Sequence, residues 1–195
     1  MIKIEHIVTP DPDAFVEEML KFQGKYRLIG SGSYGEVFGS KSSNIAYKVG
    51  GIEDNFPYLT FINAIIKESE HNPFFPKIYG VRYIHSKDGD DDEDLFVVAM
   101  ERLRRLPKKT WREFEPLVVA GLDPEFSSDN SRFLDTAKTI GFDIKPNVDL
   151  RRAIKLLKKI YDEYGYNEKV VFDLHKENFM CRNEWSHPVF VDPFA

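Results

Sequence analysis

Cysteine is nearly absent from this sequence. Cys181 stands alone in 195 residues, which excludes an intramolecular disulfide framework and any zinc site built on cysteine pairs. A buried, inert thiol is its expected state. Long apolar runs are missing as well: none approaches the roughly 20 residues that a membrane-crossing helix needs. The opening MIKIEHIVTPDPD has neither a basic n-region nor an apolar h-region. The expectation is a cytoplasmic protein with no membrane partner. Nor is there a surplus of positive charge. A net charge of −5 argues against a chain whose main work is coating nucleic acid. The short basic cluster Arg102, Arg104, Arg105, Lys108 and Lys109 comes with no RNA- or DNA-binding motif and reads as a solvated rim beside a helix. Metal-ligand spacing is lacking too. His6, His71, His85, His175 and His187 are scattered, and no H-E-x-x-H occurs. In the acidic run from Asp88 to Asp94, a calcium loop would need Gly and Glu where Glu93 and Ala99 stand. That run reads as a solvated loop between two strands.

What is present suffices for a core. With 42% hydrophobic and 14% aromatic residues, the chain can bury one domain or two small lobes. A helical segment from about Asp11 to Phe22, capped by Asp11 or Asp13, is followed by short alternating runs at 26–29, 36–38 and 44–49, which predict three consecutive strands. Tyr58 to Ser69 carries Leu59, Ile62, Ile65 and Ile66 at helical spacing and stops before Asn72-Pro73. Ile78 to Ile84 and Leu95 to Leu103 predict two more strands. After Pro107 helical patterns dominate, the strongest beginning at Asp149 with Leu150, Ile154, Leu157, Ile160 and Tyr161 on one face. The chain closes on an apolar strand, a polar loop, and two short strands at 179–182 and 189–191. The expected division is a β-rich lobe, 1–106, and a helical lobe, 107–195, together making one catalytic domain.

Residues 30 to 37 read GSGSYGEV, with Gly30, Gly32, Gly35 and Val37 in a G-x-G-x-x-G-x-V frame. Alone it reads as a hairpin turn, since glycine is the default wherever backbone turns tightly. Its neighbours give it a second reading. Phosphoryl transfer needs a cover for the phosphates, a cation on them, hard oxygen ligands for magnesium, and a base near the acceptor hydroxyl. Glycines let backbone N–H groups approach phosphates because no Cβ stands in the way. Lys48 lies in IAYKV, where strand alternation puts it with Ala46 on one face, toward the cleft beneath the loop. Glu68, or failing that Glu70, follows on a helix as the partner of that lysine. In FDLHKEN, Asp173 is a carboxylate that can orient a hydroxyl and take its proton, and Asn178 offers an amide oxygen to magnesium. Asp192 closes the apolar run VFVD, where a charge needs a partner such as a metal ion.

GSGSYGEV, IAYK, Glu68, HNPFFPKIYGV, VVAMERL, FDLHKEN and VFVDPFA stand in the order and roughly the spacing of the protein kinase-like superfamily, which the chain resembles over nearly its whole length. The resemblance implies an α+β bilobal fold: a five-stranded antiparallel N-lobe sheet with one helix, and a truncated helical C-lobe. It implies ATP and Mg2+ as cofactors. Gly30, Ser31, Gly32, Ser33, Gly35, Val37, Ala46 and Lys48 would bind the nucleotide, with Met100, Glu101 and Leu103 in the hinge that borders adenine. Lys48, Glu68 and Asp173 would be catalytic, and Asn178 and Asp192 would hold the metal. A phosphate on Ser31 or Ser33 would oppose nucleotide binding.

The departures matter equally. Val171-Phe172-Asp173 replaces H-R-D, so the arginine that holds a phosphorylated activation loop is missing. Asp192-Pro193-Phe194 replaces D-F-G one residue before the last. This short form resembles the early-expressed serine/threonine kinases of T7-like bacteriophages, which implies phosphorylation of host proteins in an infected bacterium and autophosphorylation. Two other readings share the motifs. D-L-H-x-x-N with a late metal Asp also resembles small-molecule phosphotransferases of the aminoglycoside-kinase type, with 107–146 as the acceptor region; an inactive nucleotide-binding pseudokinase would keep the fold alone.

Overall fold

A computed structural model of the chain describes residues 2–22, 26–32, 35–68, 70–89, 93–122, 148–165, 170–182 and 188–195, without the side chains of 22, 117 and 119–121. The expectations for Ser33, for the end of the second helix at Ser69, for the middle of the acidic run, for His187 and for most of the 107–146 region lie outside the described residues. The chain divides into two compact units, Met1–Leu59 with Lys77–Arg102, and Thr60–Pro76 with Leu103–Ala195.

The first unit is built on β1 (Lys3–Thr9), β2 (Arg27–Gly32), β3 (Gly35–Gly39), β4 (Ile45–Gly51), β5 (Ile78–Ser86) and β6 (Leu95–Glu101), in the spatial order β1-β5-β6-β4-β3-β2. Strands β2 to β6 pair antiparallel. The expected five-stranded antiparallel sheet is nonetheless corrected: the sheet has six strands and is mixed, because β1 pairs parallel to β5. The residues of β1 alternate, with Glu5 and Ile7 on the inner face: Ile7 packs against the core, and Glu5 Oε2 accepts from Arg82 Nε on β5 at 2.7 Å. Nothing local announces this pairing, since parallel strands cannot be joined by a tight hairpin.

One face of the sheet is covered by α1 (Pro12–Phe22). Asp11 is the residue that caps it, its Oδ1 accepting from the Ala14 N–H at 2.8 Å. Val16 and Leu20 of α1 are buried with Tyr47, Ile84 and Val97, and Phe15, Met19, Phe38, Ile45, Val49 and Ala99 pack around them. Full burial of each such side chain stabilises by about 1.5–3 kcal/mol. Strand alternation then sends the intervening residues, Val37, Ala46, Lys48, Val98 and Met100, to the opposite face.

The foot of the acidic run does more than face water. Asp94 accepts from the Ser86 N–H at 2.8 Å and bonds His85 Nδ1 at 2.5 Å, closing the β5–β6 connection. Burial pushes its carboxyl pKa up, but the hydrogen bonds from His85 and Ser86 and the charge of His85 outweigh this, and the net shift is downward.

The second unit has an aromatic core. Helix α2 (Phe56–Lys67) contributes Phe61; α3 (Lys108–Leu122) contributes Trp111 and Phe114; and α4 (Val148–Tyr164) buries Leu150, Ala153, Ile154, Leu157 and Ile160 on one face. A small sheet, β7 (Arg104–Arg105), β8 (Phe179–Cys181) and β9 (Pro188–Phe190), adds Phe179 and Phe190. Trp111 lies 4.7 Å from Phe179, and Phe179 5.0 Å from Phe190, centroid to centroid. Asn72, 4% exposed, ties the segment before β5 to α4: its Nδ2 donates to the Asp149 carbonyl at 2.7 Å and its Oδ1 accepts from the Phe74 N–H at 2.9 Å. Arg182 donates to the carbonyls of Pro73 and Phe75. Cys181 is buried at 8% exposure, and burial raises its thiol pKa, which Arg104 partly offsets. Among the described residues no helix is long and apolar enough to cross a membrane.

Candidate functional site

In the first unit the glycine frame lies on the β2–β3 hairpin, with Gly30 opposite Val37, Ser31 opposite Glu36, and Gly32 opposite Gly35. The three glycines differ in why they are there. Gly35 has φ +156°, and a Cβ on it would overlap the Val49 carbonyl oxygen, so the fold itself demands glycine. At Gly32 a Cβ would meet nothing within 4 Å among the described residues, and at Gly30 only Val37 Cβ, at 3.9 Å. Neither has a positive φ. Among the described residues, backbone packing accounts for Gly35 alone.

The ladder places the neighbouring residues on the sheet face away from α1. Val37 pairs with Lys48 and Lys48 with Val98, while Ala46 pairs with Met100. Directly opposed residues point the same way, so Val37, Ala46, Lys48 and Met100 share one surface. Lys48 is 9% exposed, and its Nζ sits 3.5 Å above the centroid of the Tyr58 ring. A cation over an aromatic face is attracted to the ring's negative quadrupole, and this contact helps to hold the lysine in place. Tyr58 was not legible as part of this arrangement; its only signal is its position in the first turn of the helix after the lysine strand. The segment after β6 is fixed by backbone bonds: Glu101 N–H donates to Lys77 O at 2.9 Å, Glu101 Oε1 accepts from Lys77 N–H at 2.8 Å, and Arg102 N–H donates to Asn44 O at 2.7 Å. Leu103 belongs to the second unit.

Within the second unit the chain gathers Asp173, Asn178 and Asp192 into one place. Phe172 and Phe194 form an antiparallel bridge, Val171 and Ala195 exchange hydrogen bonds of 2.9 and 3.0 Å, and Asp173 N–H donates to Pro193 O at 2.9 Å. Val191 N–H donates to Asn178 O at 3.0 Å. The residues flanking Asp192 are thereby bonded to Asp173 and to Asn178. Phe172 stacks on Tyr161 at 4.8 Å and on Phe194 at 5.2 Å, which anchors the loop to α4. A 3₁₀ turn, Lys176–Asn178, carries the asparagine, whose Nδ2 donates to the Asp173 carbonyl at 2.9 Å. The amide is therefore oriented, and its carbonyl oxygen is the atom that remains for a ligand.

His175 completes the loop. Its Nε2 is 3.3 Å from Asp173 Oδ2 and 3.4 Å from Asn178 Nδ2, and its Nδ1 is 3.3 Å from Glu177 Oε2. Glu68 stands one residue past the end of α2, with Oε2 3.8 Å from Arg152 Nη2, whereas Glu70 Oε2 accepts from Arg152 Nη1 at 3.0 Å. Lys48 and Glu68 belong to different units. Among the described residues no three His, Cys, Asp or Glu side chains group to hold a metal.

No protein-family model matches the chain, and no curated protein matches it in sequence. Solved structures do. The chain is similar to an aminoglycoside phosphotransferase, APH(2″)-IIa, in a ternary complex with streptomycin and ATP, at 15% identity and a TM-score of 0.36 over 93% of this chain and 71% of that one. It is also similar to the BubR1 kinase domain, at 14% identity and a TM-score of 0.29 over 59% of this chain and 35% of that one.

Proposed function

We propose that the chain is an ATP- and magnesium-dependent phosphotransferase of the protein kinase-like superfamily that acts on serine or threonine hydroxyls of proteins. The observation that carries this is the hydrogen-bonded closure of Asp173, Asn178 and Asp192. A phosphotransferase needs a base and two hard oxygen ligands held together on a rigid frame.

The residues fit the groups implied. Magnesium takes one or two protein carboxylate or amide oxygens and completes its shell with phosphate and water oxygens, so a site of Asn178 and Asp192 without a third acid is chemically sufficient. When bound, the ion would neutralise phosphate charge. Gly30 and Gly32, unexplained by packing or backbone strain, suit backbone N–H groups that must come close to phosphates. Lys48 supplies the cation. Of the two carboxylates considered with it, Glu70 is the one hydrogen-bonded to Arg152, and we assign the role to Glu68. Asp173 orients the acceptor hydroxyl and takes its proton; His175, beside it, holds the carboxylate's position. Met100, Glu101 and Leu103 are assigned to the base of the nucleotide. Host proteins of an infected bacterium, with the enzyme in the host cytoplasm, remain the proposed setting.

One observation favours a second reading, transfer to a small molecule: His175 contacts both Asp173 and Asn178, which is the arrangement the D-L-H-x-x-N resemblance stresses. Mass spectrometry after incubation with Mg-ATP and bacterial lysate separates the two. Phosphorylated serine or threonine peptides with the wild type but not Asp192→Asn support the protein kinase. Asp173→Asn should lower turnover by about 10²–10⁴ while leaving the melting temperature in place; full activity in that variant refutes the assignment of the base.

A further inference from the structure

The second unit carries a run of cations that its fold does not use. Arg104 and Arg105 on β7, and Lys108, Lys109 and Arg112 on α3, are exposed, while Leu106, Trp111 and Phe114 between them are buried. None of the five has a carboxylate partner among the described residues, and the exposed Glu113 and Glu115 on the same helix form no salt bridge with them. Lys108 and Lys109 also occupy the first turn of α3, which has no acidic residue. Positive charge there opposes the helix dipole. The two lysines thus work against the start of their helix, in a chain whose net charge is −5.

Their place in the small sheet says what they are near. Arg105 pairs with Met180 and Arg104 with Cys181, so β7 lies beside the strand that starts immediately after Asn178. With about 3.4 Å per residue along a strand and about 5 Å between strands, the Cα of Arg105 is within about 10 Å of that of Asn178. An extended peptide covers about 3.3–3.6 Å per residue, so an arginine there reaches side chains one to four residues from a hydroxyl held at Asp173.

We infer that Arg104, Arg105, Lys108 and Lys109 form a recognition surface for acidic side chains flanking the acceptor serine or threonine, so that the substrates are acidic protein segments. This rests on the phosphotransferase reading for its acceptor but not for its charge complementarity. Opposite charge steers such a peptide and fixes its register, and like charge rejects cationic acceptors.

The test uses the full chain and fluorescence anisotropy. The probes are a labelled peptide of about ten residues with Asp and Glu around one Ser, its Asn/Gln counterpart, and a single-stranded RNA of equal charge; binding of the acidic peptide should weaken about ten-fold in R104Q/R105Q/K108Q/K109Q. The neutral peptide should bind weakly to both proteins, and added salt should weaken the acidic one. Unchanged peptide affinity in the variant, no binding by the wild type, or tighter binding of RNA than of the peptide overturns the inference. A Mg-ATP titration in the same samples keeps the two ideas apart. Peptide binding without nucleotide binding strikes the phosphotransferase reading and leaves the surface standing.

Discussion

The two kinds of glycine in the β2–β3 hairpin give a test that separates fold from ligand. In Gly35→Ala the new Cβ must push against the Val49 carbonyl at φ +156°, and backbone cannot yield as a side-chain tip can. The left-handed strain alone costs about 1–2 kcal/mol, and with the displaced β4 backbone the total should reach about 2–4 kcal/mol. For a chain of this size that lowers the melting temperature by about 5–15 °C. Gly32→Ala meets nothing within 4 Å among the described residues and needs no positive φ. Its folded state should be unharmed, or firmer by up to about 1 kcal/mol through a less flexible unfolded chain. Its expected defect is in binding: a methyl group where backbone approaches phosphate should weaken Mg-ATP about ten-fold, since loss of one close polar contact is worth about 1.4 kcal/mol. Differential scanning fluorimetry with and without Mg-ATP, supported by isothermal titration, measures both. Full nucleotide affinity in Gly32→Ala refutes the phosphate-loop reading, and an unchanged melting temperature in Gly35→Ala refutes the packing argument.

Two further outcomes follow from hydrogen-bonded polar side chains shielded from solvent. Asp94, its side chain 14% exposed, has a folded pKa below the ordinary value. Its stabilisation is therefore complete above the unfolded carboxyl's pKa of about 4 and is lost as pH falls through the lower folded value. Asp94→Asn should cost about 1–2 kcal/mol near pH 7, and the gap between the melting curves of the two proteins should narrow as pH falls below about 4; a gap that does not shrink as acid is added rejects the charge as its source. Asn72→Ala leaves the Phe74 N–H and the Asp149 carbonyl without their partner. A loss of about 2–3 kcal/mol is expected, with faster hydrogen exchange at Phe74, and a variant as stable and protected as wild type contradicts that role.

By itself the sequence determined the local elements. Alternation in 26–29, 36–38, 44–49, 78–84 and 95–103 was enough for five strands, and 3.6-residue periodicity for α1, α2 and α4, because those patterns record which face each residue buries. The order of glycine hairpin, lysine strand and Asp173 loop was legible for the same reason. Tertiary structure alone decided what depends on residues far apart in the chain. The parallel pairing of β1 to β5 turned the expected antiparallel sheet into a mixed one. Backbone bonds from the Val171 to Asp173 stretch to Pro193 and Ala195, and from Val191 to Asn178, brought Asp173, Asn178 and Asp192 to one frame. The Tyr58 ring under Lys48, and the Arg152 guanidinium near both Glu68 and Glu70, likewise come from other elements. Such contacts leave no period in the sequence, since a hydrogen bond or a ring face is chosen by position in space, and one window of chain holds only half of each pair.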